Sequence, residues 1–110
     1  LVAVREAVFL FDVDGTLLEA GSRYHSQSLM AAVERVCGRE PDVTHLALAG
    51  RTDTEILCDM AAAAGAEATP DVLQRLFRLA VEDFDARCPA DITDLVIAHV
   101  RPALELLRAE

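Results

Sequence analysis

The chain has 110 residues, a hydrophobic fraction of 53%, 19 acidic against ten basic residues and a formal net charge of -9. That is enough apolar material for the core of one small domain and excludes a disordered chain. All ten basic residues are arginines, and with no basic stripe or tract the charge balance argues against nucleic acid and anionic membranes as partners. Cys37, Cys58 and Cys88 are odd in number and widely spaced, which suits neither a zinc site nor a disulfide framework, so they read as reduced, mostly buried thiols. The first residues lack the basic start and long apolar core of a signal peptide and no apolar stretch reaches the length of a membrane span, so the cytoplasm is the expected compartment.

Leu1 to Glu6 is a short lead-in without an initiating methionine. The stretch Ala7-Val-Phe-Leu-Phe-Asp-Val-Asp-Gly-Thr-Leu-Leu18 follows. Val8 to Phe11 lack helical periodicity, and a short apolar run with β-branched and aromatic side chains predicts a strand buried on both faces. Alternation at its end sets Asp12 and Asp14 on one side and hides Val13. Gly15 ends the strand in a turn, and Thr16 offers a hydroxyl and a backbone N–H to an anionic oxygen. Two adjacent carboxylates stay ionised only beside a cation or strong donors, and magnesium, a hard ion that takes one or two carboxylates plus substrate phosphate, suits them. The plainer readings are an Asp-Gly hairpin turn, which needs no fully apolar run before it, and a calcium loop, which requires glutamate where the chain has Gly21.

This apolar run followed by Asp12-x-Asp14-Gly15-Thr16-Leu17 resembles the first motif of the haloacid dehalogenase-like (HAD) hydrolase superfamily, mostly magnesium-dependent phosphatases. The resemblance implies that Asp12 is the nucleophile that becomes an aspartyl-phosphate and that Asp14 is the general acid and base. It also implies that both residues are metal ligands for Mg2+, Asp14 through its backbone carbonyl. Gly15 and Thr16 would bind phosphate. An aspartate at position 14 separates phosphate-ester chemistry from the dehalogenases, the phosphonate-cleaving members and the ion-pumping ATPases.

After a linker at 19–22, Ser22 can cap a helix running to Cys37, with Leu29, Val33 and Val36 or Cys37 on one apolar face and Gly38 as its stop. Tyr24 and His25 read as ordinary boundary residues, and residues 39–43, with Pro41, as a loop. Thr52 and Glu55 form a capping box that predicts a helix from Asp53 through Ile56, Leu57 and Met60 to Gly65. Its N-terminus, with Arg51 beside it, is a place for an anion. In helical-cap members of the superfamily a Gly-x-Thr-Asp-like segment faces the catalytic aspartates, which would make Arg51 and Thr52 substrate-facing; a capped helix with a solvated arginine accounts for them equally well. Thr69-Pro70 opens a third helix with a stripe of Val72, Leu73, Leu76, Phe77, Ala80, Val81 and Phe84, ending near Arg87. Glu82, Asp83 and Asp85 on it read as solvated carboxylates rather than metal ligands. Residues 90–98 are ambiguous between a loop and a short apolar turn, His99 has no ligand spacing, and Pro102 opens a last helix from Ala103 to Glu110.

The expected architecture is therefore α/β: a HAD-like Rossmannoid core with an inserted helical cap, represented by mainly helical residues and one core strand. Residues 1–21 would hold the core strand and nucleophile loop, 22–89 the cap, and 90–110 the return to the core. The superfamily's later motifs, a strand ending in serine or threonine, a lysine and further acidic residues, do not occur in these residues. The resemblance thus covers the amino-terminal portion, which alone is expected to be weakly active or inactive. The function expected is hydrolysis of a small phosphorylated metabolite, as in the phosphoglycolate phosphatase-like branch; a phosphomutase or a non-catalytic binding module are the alternatives. Neither the particular substrate nor the oligomeric state is legible.

Overall fold

The computed structural model describes residues 6–19 and 23–109. It contains four α-helices, α1 (Arg23–Cys37), α2 (Asp53–Ala63), α3 (Pro70–Arg87) and α4 (Val100–Ala109), and a 3-10 turn at Thr93–Leu95. The chain divides into two compact units, Arg23–Pro89 and a second made of Leu1–Ser22 with Ala90–Glu110. Among the described residues no helix is long and apolar enough to cross a membrane.

In the first unit α1, α2 and α3 pack on one another, α3 chiefly on α1. Leu29, Ala32 and Val33 of α1, Ile56, Leu57 and Met60 of α2, and Leu76, Leu79 and Ala80 of α3 form one buried cluster. Helical spacing brings each set to one face, and burial of that face, more than propensity, holds short helices. Ser28, buried within this layer, donates its hydroxyl to the Tyr24 carbonyl at 2.7 Å, which meets the need of a buried polar group. Gly38 stops α1 at φ 76°, a left-handed conformation that glycine adopts without steric cost, with its N–H on the Glu34 carbonyl. Ser22, the expected cap of α1, lies outside the described residues.

The caps predicted for α2 and α3 form. The Thr52 hydroxyl accepts the Glu55 N–H while the Glu55 carboxylate accepts the Thr52 N–H, and the Thr69 hydroxyl accepts the Val72 N–H ahead of Pro70. Thr69→Ala should lower the stability of this unit by about 1 kcal/mol, read from the urea midpoint, because it leaves a first-turn N–H without its partner.

The α3 stripe differs from its predicted form. Leu79 is buried, while Val81 is 60% exposed and Phe84 is also exposed. Seven apolar residues span more of the helix circumference than one packing face covers, and α1 covers the part centred on Leu76. On the flank of that face the Arg87 guanidinium donates to the Asp83 carboxylate at 2.7 and 3.2 Å. This arginine, with lesser help from Ser28 and the charge of Arg35, holds the Asp83 carboxyl below its usual range. A depressed carboxyl stabilises the fold above the unfolded-state pKa of about 3.9 and ceases to do so as pH falls through the folded value. The difference in urea midpoint between the wild type and Asp83→Asn should therefore be constant near neutrality and vanish in acid below about pH 4.

The second unit corrects the strand expectation. Residues 6–12 belong to no strand, and Val8 and Leu10 are 87% and 92% exposed, with Phe9 and Phe11 exposed as well. A strand exists through ladder bonds to a neighbour, and the only bridges among the described residues join Asp14 to Leu18 and Leu18 to Val96. The ambiguous segment 90–98 resolves into a turn in which the Asp91 carboxylate accepts the Thr93 N–H, followed by the bridge at Val96. Helix α4 begins at Val100 rather than Ala103, which leaves Pro102 within the first turn where no N–H is needed. No α4 side chain is buried. The three thiols are free and half-buried rather than mostly buried.

Candidate functional site

The turn after the apolar run is closed by one acceptor. The Val13 carbonyl takes the N–H groups of Thr16, Leu17 and Leu18 at 3.2, 2.9 and 3.0 Å, and the Gly15 N–H donates to the Leu18 carbonyl at 2.8 Å. Reversal within so few residues requires the left-handed φ of 77° at Gly15. Leu17 and Leu18 are partly buried and anchor the turn to the second half of the unit: the Ile97 N–H donates to Leu17, and the Glu19 N–H donates to Leu95.

Asp12, Asp14, Gly15 and Thr16 are all exposed, Asp14 to Thr16 within the turn and Asp12 just before it. Among the described residues no side-chain hydrogen bond or ion pair engages either carboxylate, leaving both open to a ligand. Val13 differs from expectation: it is 50% exposed, because with no strand there is no inner face to receive it, and its carbonyl rather than its side chain organises the site. No group of three or more His, Cys, Asp or Glu side chains that could hold a metal ion gathers among the described residues. Two carboxylate-bearing residues with hard oxygen donors nevertheless fit magnesium in kind, since that ion retains waters and takes its remaining ligands from a bound phosphate.

Arg51 and Thr52 belong to the other unit, and both are engaged within it. The Arg51 guanidinium lies 2.6 Å from the Asp59 carboxylate and 3.6 Å from that of Glu55, and it donates to the Ala47 carbonyl at 3.1 Å. Asp59 first, then Glu55, raises the guanidinium pKa above its ordinary value. The Thr52 hydroxyl is taken by its capping box. An anion arriving there must compete with two carboxylates of α2 itself.

One pairing had no sequence signal. His25 Nε2 stands 3.0 Å from the Asp53 carboxylate, tying the first turn of α1 to the first residue of α2. The partners are 28 residues apart, and each sits at an unremarkable helix start, so only the packing of α1 on α2 could reveal them. Glu82 and Asp85 are exposed, and Asp83 pairs with Arg87.

In comparisons with protein-family models, curated proteins and solved structures, the chain matches none.

Proposed function

We propose that this chain carries the nucleophile loop of a magnesium-dependent phosphatase of the HAD-like kind, acting on a small phosphorylated metabolite. The observation that carries the reading is the closed turn around the Val13 carbonyl, which leaves the side chains of Asp12, Asp14 and Thr16 all exposed. In this reading Val8 to Phe11 form a strand of an α/β core together with strands outside these residues, and their exposed side chains are the surface such neighbours would cover.

Asp12 attacks phosphorus through a carboxylate oxygen while the bond from phosphorus to the leaving alcohol breaks, and Asp14 gives that alcohol its proton. The product is an aspartyl-phosphate on Asp12. Asp14, now a carboxylate, takes a proton from water as the water oxygen attacks phosphorus. The bond to Asp12 breaks, and inorganic phosphate leaves. Asp12 and the Asp14 backbone carbonyl would hold magnesium, which when bound offsets the negative charge of the phosphoryl oxygens. Thr16 orients the phosphoryl group through its hydroxyl, its N–H being held by the Val13 carbonyl, and Gly15 leaves room for the approach.

Beryllium fluoride, which mimics a phosphoryl group on a carboxylate, tests this directly in the protein as its cells make it. A 19F resonance for a bound adduct should appear only with magnesium present and be lost in Asp12→Asn. Magnesium-dependent hydrolysis that survives Asp12→Asn would overturn the assignment.

A further inference from the structure

Helix α3 carries an outward stripe that its own unit leaves unused. Arg75, Arg78, Glu82 and Asp85 follow one another at intervals of three, four and three residues, the spacing of a helix seam. All four are exposed, and none takes part in the ion pairs found among the described residues, which are His25 with Asp53, Arg51 with Glu55 and with Asp59, and Arg87 with Asp83. Over these four positions the positive residues come first and the negative ones last; exposed Asp71, four residues before Arg75, lies beyond them in the first turn of α3. Arg75 and Arg78, with Gln74, also line a shallow hollow on this face. Val81, 60% exposed, borders the stripe beside Glu82.

We propose that this face of α3 binds the same face of a second copy of the chain, antiparallel, about a two-fold axis at the level of residue 80. In that register Arg75 lies opposite Asp85 of the second copy and Arg78 opposite Glu82, and the symmetry repeats both pairs, so every level of the seam joins opposite charges. A two-fold contact uses one patch twice and therefore needs a self-complementary surface, and the division of charge along α3 supplies one. A parallel pairing in register would set like against like and is excluded by the same charges. The two-fold also brings both Val81 side chains to one edge of the seam within a helical turn of each other, where each covers apolar surface of the other. Exposed ion pairs are individually weak and screened by salt, so the association is reversible and strongest at low ionic strength.

Sedimentation equilibrium of the intact protein provides the test. The wild type should form dimers in low salt, with a dissociation constant at least about tenfold weaker when salt is raised until the Debye length falls to about 3 Å. Arg75→Glu with Arg78→Glu makes the four paired positions wholly acidic, and Glu82→Arg with Asp85→Arg makes them wholly basic; each double variant alone should be monomeric. Mixed in equal amounts they should form a heterodimer, and the variant with all four changes should dimerise as the wild type does. Those two recoveries separate a lost contact from a misfolded chain. A wild type still monomeric at about 1 mM in low salt, a dimer indifferent to the double reversals, or no heterodimer on mixing would each overturn the proposal.

Discussion

Asp12→Asn should reduce hydrolysis of phosphate monoesters by more than about a thousandfold, since an amide cannot replace a carboxylate that forms the covalent intermediate. Asp14→Asn should cost about 100- to 10,000-fold, the range for a positioned general acid or base. The two variants separate when p-nitrophenyl phosphate is the substrate. Its leaving group needs little protonation, so Asp14→Asn should still form the phosphoenzyme but hydrolyse it slowly, and the protein mass should rise by one phosphoryl group in acid-quenched samples. Asp12→Asn should show no such species. Both residues are exposed and without side-chain partners among the described residues, so neither change should move the urea midpoint, and lost activity would not reflect unfolding. Equal losses in both variants without a trapped species would argue against the covalent route.

Leu57→Ala should destabilise the three-helix unit by about 2–5 kcal/mol. The Leu57 side chain is 0% exposed and lies in the cluster that joins α1, α2 and α3, so its removal leaves a cavity bounded by three helices that close on it only partly. Small domains hold about 0.05–0.15 kcal/mol of stability per residue, so a unit of this size would lose much or all of its cooperative transition, read by circular dichroism against urea. Val81→Ala is the matched control: the side chain is more than half exposed, and its loss should cost less than about 0.5 kcal/mol. A Leu57→Ala midpoint equal to that of the wild type would mean that the helices do not share one core.

Local events were written in neighbouring residues. Thr52 with Glu55, Thr69 with Pro70, and Gly38 each act through partners within four residues, so the starts of α2 and α3 and the end of α1 were legible as chemistry of the chain. The turn at Asp12 to Leu18 was legible for the same reason, since Gly15 permits the reversal and Asp12, Asp14 and Thr16 are its neighbours. What depended on distant partners was not legible. The run from Val8 to Phe11 is strand-like in composition, but a strand is a relation between two segments, and none of the described residues pairs with it. Only packing decided that Leu79 is buried and Val81 exposed, because α1 covers one side of an α3 stripe too wide to be covered whole. Packing likewise joined His25 to Asp53. A buried face, or an ion pair between two helices, is set by which surfaces meet, and that depends on how helices pack rather than on the residues of one helix alone.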